Sequence, residues 1–243
     1  MISFAAITPH NPVLLPSIGK EHLDRAQSTL KALYKLSDNF QNAKAEEVLV
    51  ISPHGPINDS LFTLNNNSGY TGDLEDFGDF STKYQWPAAL SLSAAIDEYF
   101  INECTLLAVS TPKLDYGTLV PLLLLNVDEK KFPILPLYYS GLGPEMHFEF
   151  GKKLGHILAK RNKRVAVLAS GDLAHTHSPE APAGFSPKAG KFDRKLIEAI
   201  KNKDTGAILK MNPEISCEVK DCGLKSFLIL LGILQSLEYE HKA

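Results

Sequence analysis

Two stretches of this chain end an apolar run in the same way. FAAI is followed by TPHNP, and VLVI by SPHGP. In both, a histidine (His10, His54) lies between two prolines just after a run that reads as a buried strand. Proline cannot donate to a sheet ladder, so it stops the strand and stiffens the turn that follows. Each imidazole is then presented at a fixed angle beyond a strand end. Two neutral imidazoles on one rim suit a divalent first-row metal ion. No local ligand spacing such as HExxH or CxxC occurs, so any such site is a constellation that folding must assemble.

Further polar groups follow the same logic. The run VAVLAS leads into GDLAHTHS, which supplies Asp172, His175 and His177. Imidazole suits general acid–base work near neutral pH, and His175 is the candidate for it. Asp172, three residues earlier, could orient His175 or stabilise the turn; His177 reads as a solvated neighbour. A third metal donor can come from ISCEVKDCG, which offers Glu218, Asp221 and Cys222. A carboxylate there would suit non-haem Fe(II) and oxygen chemistry, whereas a thiolate would make a softer site open also to zinc or copper. Asp221 also fits the favourable end of a helix dipole, and Cys222 a small buried residue. His22, His147, His156 and His241 fall in or beside helices or in the tail and are expected at the surface.

These residues need a scaffold. Apolar runs predict strands over 2–7, 47–52, 106–109, 133–138 and 164–170. Helical spacing predicts helices over 21–40, 87–99, 144–160, 191–201, 204–211 and 222–239. In the first of them Leu23, Ala26, Leu30, Leu33, Tyr34 and Leu36 lie near one face. Pro87 suits the first turn of the second. Residues 118–126 are apolar all round and expected to be buried. The polar 57–87 stretch predicts an excursion holding an antiparallel pair near Leu61–Leu64, and 179–190 a loop. Alternating strands and helices argue one α/β domain over 1–243, with a central, largely parallel mixed sheet flanked by helices. Ligands of such sheets bind beyond the carboxyl ends of the strands, which is where His10, His54 and Asp172 fall.

Composition narrows the partners. A chain of 243 residues, 44% hydrophobic, can fill a core of this kind. Its net charge of −3 and lack of a basic stripe argue against nucleic acid. The longest apolar run near the C-terminus, FLILLGIL, is too short to cross a bilayer. The N-terminus lacks a basic, signal-like start. Three cysteines without a framework spacing suggest a reducing, cytoplasmic setting.

Taken in order, ITPHNP, SPHGP, LDYGTLVPL, ASGDLAH and CGLKSFLILLG resemble segments of the class III extradiol ring-cleavage dioxygenases, the superfamily of the catalytic chain of the protocatechuate ring-opening enzymes. The same set is similar to the Memo-like branch, which shares the fold and an equivalent metal site. The resemblance implies His10 and His54 as ligands of Fe(II), with zinc or copper as alternatives, and His175 as the acid–base histidine. It places the third ligand at the start of the last helix, where Cys222 matches the Memo type and a glutamate would match the protocatechuate type. Asp172 and His175 look like a pair in the Memo site. Such dioxygenases carry Asp-His-Gly where this chain has Asp115-Tyr116-Gly117, so Tyr116 stands where a substrate-contacting histidine is expected. The implied partners are a small aromatic substrate and O2, and the implied assembly is a homo-oligomer. The implied activity is catabolic oxidation that inserts O2 into a catecholic or aminophenolic ring. The alternative is a Memo-like metal-binding protein without ring cleavage. A metal-dependent hydrolase or a metal-free binding module is the weaker third reading.

Overall fold

The computed structural model describes residues 1–239. The strands are β1 (Ile2–Thr8), β2 (Glu47–Ser52), β3 (Phe62–Asn65), β4 (Gly69–Leu74), β5 (Asp79–Pro87), β6 (Leu106–Val109), β7 (Ile134–Tyr138) and β8 (Val165–Ser170). The helices are α1 (Pro16–Gly19), α2 (Gln27–Asn42), α3 (Leu90–Phe100), α4 (Tyr116–Leu124), α5 (Pro144–Ala159), α6 (Ala189–Lys201), α7 (Thr205–Leu209), α8 (Pro213–Val219) and α9 (Leu224–Leu234). A six-stranded sheet runs in the order β1-β8-β2-β7-β3-β6. Only the β3–β7 pair in it is antiparallel, so the sheet is mixed and mostly parallel, as expected.

The sheet is covered on both faces, and its residues divide by the period-2 rule. Leu49, Ile51, Val165, Val167 and Ala169 join one core with α3, α5, α6 and α9. Val48, Val50, Ala166 and Leu168 join the other with residues of α2 and α4. This is why VLVI and VAVLA are apolar throughout: strands covered on both faces have no solvent side. Pro136 is tolerated in β7 because the β3 ladder starts only at Leu137.

Helix α9 packs against α5 at backbone distance. A Cβ on Gly151 would lie 2.2 Å from the Ile229 carbonyl oxygen, and one on Gly232 equally near that of Phe148. Glycine is the residue that permits this approach. No helix among the described residues is long and apolar enough to cross a membrane.

Several expectations need correction. Leu61–Leu64 do not belong to the antiparallel pair of the excursion: Phe62–Asn65 form β3 in the main sheet, and the pair is β4 with β5. Pro87 ends β5 and does not open α3. Residues 20–26 form a 3-10 segment before α2, and Tyr34 faces solvent. The polar run before the last helix contains α8, capped by the Asn212 side chain and opened by Pro213. The last helix is shorter than 222–239, and His241 lies outside the described residues.

His147 is not at the surface but fully buried in α5. Its Nδ1 donates to the Gly143 carbonyl at 2.8 Å, and its Nε2 accepts the Ser140 N–H at 3.3 Å. Both contacts suit the neutral ring, and burial lowers its pKa from 6.5 to about 4. The unfolded chain therefore binds more protons between those values, and stability rises with pH across that window. His147 should contribute stability in full above about pH 6.5, lost as pH falls towards 4, worth up to about 3 kcal/mol. Denaturant melts of metal-free protein across pH 4–6.5 test this. In His147→Gln the pH slope of unfolding free energy should drop by up to about 1.4 kcal/mol per pH unit; an equal slope would assign the acid sensitivity elsewhere.

Candidate metal centre

Strands β1, β8 and β2 lie side by side and parallel, and their ends are level. Thr8 pairs with Ser170, and Ile51 with Ala169. The turns carrying His10, Asp172 and His54 therefore leave one edge of the sheet together. The last residue of each strand holds the histidine that follows, His10 by its ring and His54 by its backbone. His10 Nδ1 lies 3.0 Å from the hydroxyl of Ser170, the last residue of β8. The hydroxyl of Ser52, the last residue of β2, accepts the His54 backbone N–H at 3.3 Å and donates to Asp115 at 2.5 Å. Asp115 in turn caps α4 through Thr118 N–H and the Thr118 hydroxyl. One carboxylate thus fixes both the His54 turn and the helix that carries Tyr116.

The rings converge. His54 Nε2 is 3.0 Å from His10 Nε2, and Cys222 Sγ is 3.6 Å from the same atom. The three donor atoms lie within 4.8 Å of one another. Metal–nitrogen and metal–sulfur bonds of about 2.0–2.3 Å let one ion reach all three. Burial lowers the pKa of both His10 and His54 to about 4, so each offers a lone pair at neutral pH. The donor set therefore fits a divalent transition metal. Burial also pushes the Cys222 thiol up to about 12; coordination reverses that preference, because a bound cation stabilises the thiolate.

Cys222 arrives there through a close contact between β8 and α9. A Cβ on Gly171 would sit 2.3 Å from the Gly223 Cα. The Asp172 N–H then donates to Cys222 Sγ at 3.3 Å. The other candidates for third donor are engaged elsewhere. Glu218 pairs with Lys188 at 2.6 Å and accepts from Ser186. Asp221 accepts from the N–H groups of Gly223 and Leu224, capping α9.

Asp172, Tyr116 and His175 surround the donors. Asp172 accepts the His10 N–H at 3.2 Å, and its second oxygen is 3.6 Å from His10 Nε2 and 3.9 Å from His175 Nε2. Burial raises the Asp172 pKa. Tyr116 stacks on His54, with centroids 4.3 Å apart, and its hydroxyl is 2.9 Å from His54 Nε2. Burial, with Cys222 and Asp172 nearby, lifts its pKa to about 12, which leaves it a hydrogen-bond donor and no base. His175 Nδ1 lies 2.5 Å from the Lys220 carbonyl and can bond it only as a donor, so the neutral ring keeps its lone pair on Nε2. His177 pairs instead with Asp193 at 2.6 Å.

Ser52, Ser170 and Asp115 were not anticipated as parts of this site. The available signal is a hydroxyl at the last position of two strands that each run into a histidine or aspartate turn.

Fold and donor set together define an α/β protein with a candidate mononuclear metal centre at its strand ends. The chain belongs to the family described as the catalytic LigB subunit of aromatic ring-opening dioxygenase, whose model matches residues 4–243. A Clostridium acetobutylicum protein named only by its locus is 22% identical over 96% of this chain and 52% of its own length. The 2,3-dihydroxyphenylpropionate/2,3-dihydroxicinnamic acid 1,2-dioxygenase of Mycolicibacterium smegmatis is 28% identical over 76% of the chain and 60% of its own. The 3,4-dihydroxyphenylacetate 2,3-dioxygenase of Escherichia coli is 27% identical over 82% and 76%. The chain thus spans little more than half the length of the first two relatives. The crystal structure of uncharacterized protein JW3007 from Escherichia coli K12 shares the fold, with TM-score 0.57, 19% identity, and coverage of 86% of this chain and 83% of that one.

Metal titration separates the donors. The parent should bind about one equivalent of Co(II) with a thiolate charge-transfer band, and Cys222→Ala should lose the band. His10→Ala and His54→Ala should each weaken binding by more than the roughly 10–100-fold typical of losing an outer partner. Parent-like binding by either histidine variant would remove that residue from the centre.

Proposed function

We propose that the protein is a non-haem Fe(II)-dependent extradiol dioxygenase that inserts O2 into a catecholic or aminophenolic ring. The observation that carries this reading is the convergence of the His10 and His54 imidazoles beside the Asp172–His175 pair. Membership of the ring-opening family and the dioxygenase names of two relatives support it. Iron(II), held by these three side chains, would supply the electron path between the aromatic ring and dioxygen.

The protein's own groups then divide the work. His175 Nε2 takes a proton from a ring hydroxyl and later returns it. Asp172, 3.9 Å away, steadies the resulting imidazolium and fixes the His10 turn through its other oxygen. Tyr116 donates from its hydroxyl towards the same side of the site and orients the ring. Buried Leu, Ile and Val side chains of the strands form the apolar floor below the rim. A cytoplasmic setting, with its three cysteines free, and a homo-oligomeric assembly complete the reading.

A second reading has specific support. Cys222 as third donor and Tyr116 in place of a histidine favour a Memo-like metal-binding protein without ring cleavage, and the thiolate admits zinc or copper as well as iron.

Anaerobic Fe(II) loading followed by oxygen-electrode assays with catechols and aminophenols distinguishes the two. Oxygen uptake with a new ring-opened chromophore is the expected result. His175→Ala should keep its iron and lose roughly 10²–10⁴-fold in turnover. Stoichiometric metal without oxygen uptake across the panel would favour the Memo-like reading, and unchanged turnover in His175→Ala would remove that residue from the chemistry.

A further inference from the structure

A hollow at the far end of α4 is separate from the strand-end rim. The helix starts with Tyr116, stacked on His54, and rises about 12 Å to Leu124. Beyond that end, the 122–129 turn, the loop after β1 and the β4–β5 hairpin enclose a cavity of about 540 Å³. Sites for small organic ligands run to roughly 300–1,000 Å³. Leu15, Leu74 and Leu122 give the cavity an apolar, buried floor. Tyr84 and Trp86 form one wall; they are two apart on β5 and so share a face of that strand. Their rings stack with centroids 5.7 Å apart, and Trp86 Nε1 donates to the Val127 carbonyl at 3.2 Å. Asn126, Asp128 and Glu129 form the opposite wall. Glu129 joins the two, because its carboxylate accepts the Gln85 N–H of β5 at 2.8 Å.

The polar groups left over on these walls are acceptors. Asn126 gives its amide N–H to the Ser37 hydroxyl at 3.1 Å, which leaves its amide oxygen without a partner among the described residues. One oxygen of Asp128 accepts the Lys130 N–H and one of Glu129 the Gln85 N–H; the second oxygen of each is unbonded among the described residues. Asp79 adds a third carboxylate near Tyr84, held by the Ser81 and Thr82 hydroxyls at 2.8 and 3.0 Å and by no cation among the described residues. No lysine, arginine or histidine lines the cavity. Aromatic faces beside carboxylates that lack a counter-charge attract a cation.

We propose that this cavity binds a small organic cation, its apolar or aromatic body against Leu74, Tyr84 and Trp86 and its primary ammonium at Asp128 and Glu129. An ammonium brings three donors and no acceptor to a wall of acceptors. An anion of the same shape would meet like charge, and a neutral analogue would leave the carboxylates without a counter-charge. The site shares no residue with the metal centre and does not rest on the ring-cleavage reading.

Trp86 is the chain's single tryptophan, so its emission reads occupancy of this cavity. Titration of the full chain with 2-phenylethylamine, 2-phenylethanol and phenylacetate keeps the ring and varies the charge. The amine should change the emission saturably and bind at least about tenfold more tightly than the alcohol, the scale of one charge-assisted hydrogen bond. Phenylacetate should leave the emission unchanged, and added salt should weaken the amine. Glu129→Gln, which keeps an acceptor for the Gln85 N–H, and Asp128→Asn should each reduce the preference for the amine. Two separate substitutions guard against one that fails to fold, and parent-like circular dichroism before titration identifies the folded variants. A flat titration with the amine, an equal response to the alcohol, or a preference that survives in the folded variants would overturn the site.

Discussion

The site depends on one constraint, the level parallel register of β1, β8 and β2. Backbone ladders fix Thr8 beside Ser170 and Ala169 beside Ile51. Three turns far apart in sequence are thereby brought to a common edge with almost no freedom along the strand direction. A slip of one residue would reverse every side chain between the two cores, exchanging Leu49 and Ile51 with Val48 and Val50. The same hydrophobic division that stabilises the sheet therefore also sets the height of His10 against His54. The prolines after each strand convert that height into an angle, and Ser52 and Ser170 lock it by hydrogen bonds.

The third donor is delivered by a different device. Cys222 is on no strand; it precedes α9, whose position is set by backbone contact with α5 and with the end of β8. Glycines at 151, 155 and 232 let the helices meet, and those at 171 and 223 let the helix start touch the strand end. Asp221 caps α9 immediately before Cys222, so its carboxylate is used to build the helix start and is not free to bind a metal. The helix–strand contact thus decides which member of the 218–222 run faces the histidines, and it selects the thiol.

Much of this was legible in the sequence, because it follows from local signals. The Pro-His-x-Pro turns mark strand ends, and full-length apolar runs mark strands covered on both faces. What escaped was set by tertiary context. Phe62–Asn65 carries a weak four-residue pattern, and its place in the main sheet comes from pairing with β6 and β7. His147 falls near the start of an amphipathic helix, where a polar residue usually faces water. It is buried because the turn before α5 folds back and offers it a carbonyl and an N–H. Choosing among Glu218, Asp221 and Cys222 required knowing that α8 turns Glu218 outward to Lys188.

The electrostatic design of the centre also argues for a cation. Burial keeps His10 and His54 neutral and keeps Cys222 and Tyr116 protonated, so the rim carries little charge apart from Asp172. Here two imidazole Nε2 atoms and a sulfur meet, a donor set that suits one divalent first-row ion. Tyr116 adds a donor to the same space and Asp172 a negative charge. A ligand that shares this rim therefore meets a phenol donor, a carboxylate and a histidine at the same edge of the sheet.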